Sequence, residues 1–202
     1  ASLAEQQVVS MRLIAADPAE ARWFQPRVAY ALQPVVLPRI RADKLSEELQ
    51  NVLYPGFRPA PMSVESGRQE VINEAGNDVL FTHAPATLTF DLGAGEWTAS
   101  GSFGLLSSAY ECAASDGLAL VADLVDVGGN VTRLFSRQID PVHDLTERGA
   151  LDFSFGPFFM RDADRLVLRN EIGLASDAKG DCDWMFLGAV NFAPVPSQIS
   201  NN

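Results

Sequence analysis

Histidine and cysteine are scarce in this chain of 202 residues, which has only two of each. The two cysteines, Cys112 and Cys182, are too far apart for the paired spacing of a zinc site. Neither His83 nor His143 has a spacing typical of metal ligands. The sequence contains no nucleophile elbow, no Walker loop and no dinucleotide-binding fingerprint. We therefore predict that the protein is not an enzyme.

The chain also lacks a long apolar run and an excess of basic residues. No stretch approaches the roughly 18 apolar residues that span a bilayer, so no transmembrane segment is predicted. The formal net charge is −11, and residues 70–202 carry nineteen acidic but only seven basic side chains. Such a surface repels phosphate backbones and anionic lipids, which argues against nucleic acid partners. The acidity favours neutral or cationic partners, unless it serves only as a solubility coat.

Residues 1–69 are rich in proline and contain little of the regular spacing of apolar residues that marks helices. Four prolines between residues 18 and 38 interrupt any long helix. One amphipathic helix is predicted from Asp43 to Leu53, with Asp43 as its N-cap. A single short helix provides too little apolar surface for an independent core. We predict that residues 1–69 form a docking arm, packed either on the rest of the chain or on a partner.

Residues 70–202 carry the signals of an antiparallel β-sandwich. Short runs rich in β-branched and aromatic residues are separated by glycine, asparagine, aspartate and proline. The Gly128–Asn130 link is typical of a tight hairpin, because its residues tolerate positive φ. The sequence therefore predicts an all-β domain over residues 70–202. Its nine strands cover residues 69–73, 78–83, 86–92, 96–106, 117–127, 131–139, 151–155, 165–174 and 184–192.

The two cysteines each lie in a loop-like stretch between predicted strands. Two interpretations remain open. A disulfide between Cys112 and Cys182 would join two loops at one end of the sandwich and would indicate an oxidising compartment. Alternatively, both are separate buried thiols that behave as small hydrophobic residues.

Five segments, spread over about residues 80–193, resemble the galactose-binding-like jelly rolls related to the novel carbohydrate-binding modules. They are THAPATLTFDL (82–92), FGLLSSAYECAASDGLALVADL (103–124), LFSRQIDP (134–141), ERG (147–149) and DCDW (181–184). The resemblance implies a non-catalytic, extracytoplasmic (periplasmic or secreted) jelly roll attached to sugar-processing or cell-envelope proteins. A second tryptophan after the last motif, which relatives often carry, is absent here.

A sugar site needs aromatic faces for the apolar side of the ring and planar polar groups for its hydroxyls. Trp184, Tyr110 and Phe186 can supply the faces. Hydrogen bonds can come from Asp116, Asp183, Arg137 and Asn191. Our predicted ligand-binding set is Tyr110, Asp116, Arg137, Asp183 and Trp184. The alternative is structural: Trp184 fills the core, Asp116 caps a turn, and Arg137 fixes the long linker that follows its strand together with Asp140 and Arg148.

Calcium is the one cofactor that the acidic loops suggest, because it prefers hard oxygen ligands. Asp116, Asp181 and Asp183 are its predicted ligands, although no twelve-residue loop with regular ligand spacing is present. The ordinary alternative is a solvated acidic loop.

Two roles therefore compete. The first is carbohydrate binding, or descent from a carbohydrate-binding fold, with a glycan as partner. The second is an interaction subunit of a larger cell-envelope or membrane-associated assembly, with the N-terminal arm as the interface to a protein partner. An open cleft with aromatic and polar groups would favour the first, and a large apolar patch at the N-terminal segment would favour the second.

Overall fold

A computed structural model describes residues 41–112, 115–173 and 182–196. The predicted calcium ligand Asp181 and residues 1–40 of the predicted docking arm lie outside the described residues. None of the helices in the described part has the length and apolar composition needed to cross a bilayer.

The described elements are one short α-helix followed by eleven strands. The helix is α1 (Glu47–Leu53). The strands are β1 (Phe57–Arg58), β2 (Ser63–Ser66), β3 (Gln69–Glu74), β4 (Asn77–His83), β5 (Ala86–Phe90), β6 (Gly95–Leu105), β7 (Leu118–Val125), β8 (Val131–Ile139), β9 (Leu151–Met160), β10 (Arg165–Ile172) and β11 (Trp184–Pro194).

The strands form two sheets packed face to face. The six-stranded sheet has the order β3-β4-β11-β6-β9, with β1 added beside β11, and the five-stranded sheet has the order β2-β5-β10-β7-β8. All pairs along both orders are antiparallel, whereas β1 runs parallel to β11. From β4 onward, most connections cross from one sheet to the other, as in a jelly roll. The predicted antiparallel sandwich is confirmed, and its terminal strand β11 lies inside a sheet between β4 and β6.

The core fills the space between the sheets because apolar side chains alternate with outward-facing ones along each strand. In β5 every second residue is buried, and the burial pattern of β10 is similar. The largest fully buried side chains include Phe57, Phe90, Phe103, Met160, Leu80, Leu88, Leu105, Leu118, Leu120, Ile139, Leu166 and Leu168.

The hairpin between β7 and β8 has the tight turn that its sequence predicts. Val125 pairs with Val131, and Gly129 has a φ of +80°. The Asp126 carboxylate accepts hydrogen bonds from the backbone and side-chain nitrogens of Asn130, both at 2.8 Å. The turn is therefore held by its own side chains.

The N-terminal helix begins later than the sequence predicts. It begins after Ser46, whose hydroxyl accepts from the Leu49 backbone N–H, rather than at Asp43. Asp43 lies in a preceding 3-10 turn and pairs with Arg41. Strands β1 and β2 pair with β11 and β5, so residues 57–66 pack on the rest of the chain, which is one of the two arrangements predicted for the arm. Leu53, Tyr54, Phe57 and Ala60 lie in the common core.

Candidate ligand-binding site

A disulfide ties the loop after β6 to the segment before β11. Cys112 and Cys182 are bonded, with their Cα atoms 6.3 Å apart and a sequence separation of 70. Of the two interpretations of the cysteines, the disulfide is therefore the one the structure confirms. The bond brings the chain at Cys112 close to residues 182–184, as expected for a bridge at one end of the sandwich.

Asp183 lies beside this disulfide, and its side chain is fully buried. Its exposed fraction is 0%, and its Oδ1 accepts a hydrogen bond of 3.0 Å from the Ser115 hydroxyl. Its Oδ2 has no hydrogen-bond partner among the described residues. The structure thus places this predicted ligand residue in the interior rather than on an exposed loop. Its role in sugar binding stays a prediction.

Burial raises the pKa of the Asp183 carboxyl to about 6. The hydrogen bond from Ser115 acts in the opposite direction, and the neighbouring Asp116 carboxylate adds to the increase. In the folded protein Asp183 therefore binds its proton more tightly than an aspartate in an unfolded chain, whose pKa is about 3.9.

The folded state therefore gains stability from Asp183 below about pH 4 and loses it as the pH rises through about 6. We expect the Asp183→Asn variant to gain about 2 kcal/mol relative to the wild type between pH 4 and pH 7.5. Urea unfolding at both pH values in EDTA measures this difference, and the exposed Asp162→Asn variant is the control. An equal stability difference at the two pH values would contradict the raised pKa.

Asp116 packs against the backbone beside Asp183. A Cβ atom built on Gly173 would lie 2.4 Å from Asp116 Oδ1, so the carboxylate occupies the space that the glycine leaves. Within the described ranges, no three histidine, cysteine, aspartate or glutamate side chains form a group that could hold a metal ion. Calcium takes six to eight oxygen ligands. The third predicted ligand, Asp181, lies outside the described residues, so the calcium site stays a prediction.

The other three predicted ligand residues lie in different surroundings. Tyr110 accepts a hydrogen bond of 2.7 Å from the Gly149 backbone N–H, and its ring lies under the Arg148 guanidinium at 4.7 Å. Trp184 is half-buried against the core. Arg137 lies in the five-stranded sheet, where it donates to the Asp152 carbonyl and packs on the Phe103 ring. Tyr110 and Arg137 thus hold neighbouring backbone and rings in place.

An open groove of about 400 Å³ lies on the outer face of the six-stranded sheet. The hairpin between β3 and β4 forms one wall, the segment before β9 forms another, and the chain entering β1 contributes to the lining. The residues that line it are Pro55, Gly56, Glu74, Ala75, Asn77, Asp78, Val79, Ser102, Gly149, Ala150, Phe186, Gly188 and Ala189.

Glycine and an irregularity in β11 shape the floor of this groove. The pairing of β11 with β6 shifts between Leu187 and Val190, and Gly188 and Ala189 occupy the shifted segment. A Cβ on Gly188 would lie 2.3 Å from Ser102 Oγ. A Cβ on Gly104 would lie 2.7 Å from the Phe186 ring, so that ring rests on a strand without a side chain. The missing side chains leave room for Ser102 Oγ and for the Phe186 ring, which pack against the backbone at the floor of the groove.

Phe186 connects the groove to a second, smaller apolar cluster. On the outer face of the six-stranded sheet, Phe186 packs with Val79, Phe81 and Leu106, all of them buried. Trp184 and Ile72 pack against this cluster from the side. The aromatic part of the floor is therefore held rigidly by its neighbours.

Two carboxylates on the β3–β4 hairpin form the polar rim. Glu74 Oε1 accepts a hydrogen bond of 3.1 Å from the Ser107 backbone N–H. Asp78 Oδ1 accepts one of 3.1 Å from the Asn73 side-chain amide. Each carboxylate is thus oriented through one oxygen, while its other oxygen makes no described hydrogen bond. Oriented acceptors beside an apolar floor are suited to a hydroxylated ring.

Sequence reasoning identified Phe186 as an aromatic candidate and missed the remaining groove residues. The hairpin residues Glu74, Asn77 and Asp78 have the composition of an ordinary turn, and Gly188 lies in an apolar strand. Gly188 was the one available indication of these residues, because an isolated glycine in a strand often marks a bulge or a close approach of another backbone segment.

Three solved structures of carbohydrate-binding modules are similar to this chain. The CBM51-2 and INT domains of Clostridium perfringens ZmpB are 11% identical with a TM-score of 0.42, over 64% of this chain and 27% of that one. CBM51 from Clostridium perfringens GH95, in complex with methyl-galactose, is 11% identical with a TM-score of 0.42, over 66% and 94%. The CBM22-2 xylan-binding domain of Paenibacillus barcinonensis Xyn10C is 9% identical with a TM-score of 0.45, over 65% and 91%.

This chain thus spans about a quarter of the first of these structures. No family model matches the sequence, and no curated protein matches it either.

Proposed function

We propose that the protein is a non-catalytic carbohydrate-binding module that holds a glycan in the outer-face groove. The observation that carries this proposal is an open groove of about 400 Å³ that has an apolar floor and polar groups at its rim. Glu74, Asn77 and Ser102 offer acceptors and donors for sugar hydroxyls. The apolar face of a sugar ring packs favourably on an apolar surface, and its hydroxyls need polar partners.

The arrangement of the rim carboxylates supports binding rather than hydrolysis. A glycosidase places two carboxyl groups on either side of the bond that it cleaves. Glu74 and Asp78 instead lie on one hairpin, in neighbouring pairs of the register between β3 and β4. Side chains of neighbouring pairs point to opposite faces of a hairpin, so these two carboxyl groups do not flank one glycosidic bond in the groove. His83 and His143 line other parts of the surface, with His83 bonded to the Ala84 carbonyl and His143 to the Asp140 carboxylate.

We also propose that the module acts outside the cytoplasm. The disulfide between Cys112 and Cys182 supports this location, because disulfides persist in oxidising compartments and are rare in reducing ones. The alternative role as an interaction subunit depends on residues 1–40, which lie outside the described residues, and it stays a prediction.

Filling the groove should abolish glycan binding. Ser102 lies on the floor beside Gly188, so the Ser102→Trp variant places an indole where the ligand would lie. We expect this variant to lose at least about tenfold in affinity, equivalent to roughly 1.4 kcal/mol. Isothermal titration with the strongest ligands from an array of neutral, amino and acidic oligosaccharides measures the loss.

The matched control is Ser136→Trp, which makes the same substitution at an exposed position of β8 in the other sheet. Its affinity should equal that of the wild type. If no oligosaccharide class binds at millimolar concentration, the proposed function is wrong. If Ser102→Trp binds as tightly as Ser136→Trp, the glycan site lies elsewhere on the molecule.

A further inference from the structure

We propose that Asn130 is the attachment site of an N-linked oligosaccharide. Asn130, Val131 and Thr132 form the tripeptide Asn-X-Thr, which is an acceptor for asparagine glycosylation when X is not proline. The sequence contains eight asparagines, and Asn130 is the only one of them that belongs to such a tripeptide. It is the last residue before β8, at the end of the turn that joins β7 to β8. This inference concerns a modification of the protein and goes beyond its proposed function.

The turn around Asn130 is open to solvent and makes its own hydrogen bonds. Residues 127–133 are all exposed, and a Cβ atom built on Gly129 would meet no other atom within 4 Å. The Gly129 N–H donates to the Asp126 carbonyl at 2.9 Å, and the Asp126 N–H donates to the Asn130 carbonyl at 3.0 Å. A bulky group attached at Asn130 therefore displaces no other part of the described chain.

The side-chain amide of Asn130 has one hydrogen to spare for the reaction. Its Nδ2 carries two hydrogens, and one of them is donated to Asp126 Oδ2 at 2.8 Å. In the transfer, Nδ2 attacks the anomeric carbon of an oligosaccharide that is linked to a polyprenyl diphosphate. A C–N bond forms, the bond from that carbon to the diphosphate oxygen breaks, the lipid diphosphate leaves, and the spare hydrogen leaves Nδ2 as a proton. The second hydrogen stays on Nδ2, so the bond to Asp126 that holds the turn is kept.

Two exposed valines beside the acceptor are a second observation that favours an attached oligosaccharide. Among the described residues, four large hydrophobic side chains are exposed. Two of these four are Val127, which is 82% exposed, and Val131, which is 60% exposed, and they lie three positions before and one position after Asn130. An oligosaccharide is bulky and solubilising, so it covers apolar side chains next to its attachment point and presents hydroxyls to water instead.

The disulfide and the sheet topology are both compatible with this modification. Asparagine glycosylation occurs on secreted proteins, and the bond between Cys112 and Cys182 is of the kind that persists in their oxidising compartments. The inference therefore rests on the proposed location outside the cytoplasm. It does not rest on glycan binding, because β7 and β8 belong to the five-stranded sheet and the groove lies on the outer face of the other sheet.

The test examines the protein isolated from the cells that produce it. Mass spectrometry of the proteolytic peptide that contains Asn130 is compared before and after treatment with peptide-N-glycosidase, which removes N-linked oligosaccharides and converts the linked asparagine to aspartate. We expect the untreated peptide to carry the mass of an oligosaccharide and the treated peptide to contain aspartate at position 130. An untreated peptide with the mass of the unmodified residues would overturn the inference.

Two variants of Thr132 produced in the same cells separate glycosylation at this tripeptide from other modifications. Thr132→Ala keeps Asn130 but removes the hydroxyl that the tripeptide requires, so this variant should lose the oligosaccharide completely. Thr132→Ser is the matched control and should keep it. An added mass that persists in Thr132→Ala would overturn the inference. Both variants should bind oligosaccharides in the groove as tightly as the wild type, so a failure of the proposed function is measured separately.

Discussion

Replacing Phe57 with alanine should lower the free energy of unfolding by about 3–5 kcal/mol, the usual cost of removing a buried phenylalanine ring. Phe57 is 2% exposed. Its ring lies nearly parallel to the Phe90 ring at a centroid distance of 6.4 Å and meets the Tyr54 ring edge-on at 6.0 Å. Removing it leaves a cavity between β1 and the five-stranded sheet. Urea unfolding followed by tryptophan fluorescence measures the loss.

The control for this substitution is Phe159→Ala, since Phe159 is 61% exposed on β9. It should change the free energy of unfolding by less than about 1 kcal/mol, as surface substitutions usually do. Equal effects at the two positions would mean that Phe57 is not part of the core. That result would favour the second arrangement predicted for residues 1–69, in which their apolar side chains are buried by a partner.

The sequence predicts the strands well because their signal is local. Each of the nine predicted strands corresponds to an observed one, since alternation and turn residues act over a few positions. Strands β1 and β2 were missed because Pro55, Pro59 and Pro61 surround them in a segment that has the composition of a linker. Their pairing partners, β11 and β5, are distant in sequence, so no local pattern indicates them.

The candidate site was harder to predict for the same reason. Its lining comes from residues 55–56, 74–75, 77–79, 102, 149–150, 186 and 188–189, which only the folded sheet brings together. The burial of Asp183 was equally hidden from the sequence. Its neighbours in sequence are acidic and polar, yet the disulfide and the hydrogen bond from Ser115 hold it in the interior. Composition predicts the average environment of a loop, whereas tertiary contacts decide the environment of each side chain.

Removing the disulfide should have an effect as large as that of Phe57. The bond closes a loop of 70 residues, and the chain-entropy model assigns roughly 4 kcal/mol to a loop of that length. We expect the Cys112→Ser and Cys182→Ser double variant to lose about 2–5 kcal/mol in the free energy of unfolding. The loss arises mainly because the unfolded chain regains conformational freedom.

The wild type treated with a thiol reductant should lose stability to a similar extent, whereas the double variant should not respond to the reductant. This comparison separates the effect of the bond from that of the serine side chains. If the double variant is as stable as the oxidised wild type, the bond contributes nothing to folding. The residues that line the groove are not those next to Cys112 and Cys182 in sequence. A folded double variant should therefore keep its affinity for glycans. Loss of binding without loss of folding would instead indicate that the disulfide end, and not the outer-face groove, holds the ligand.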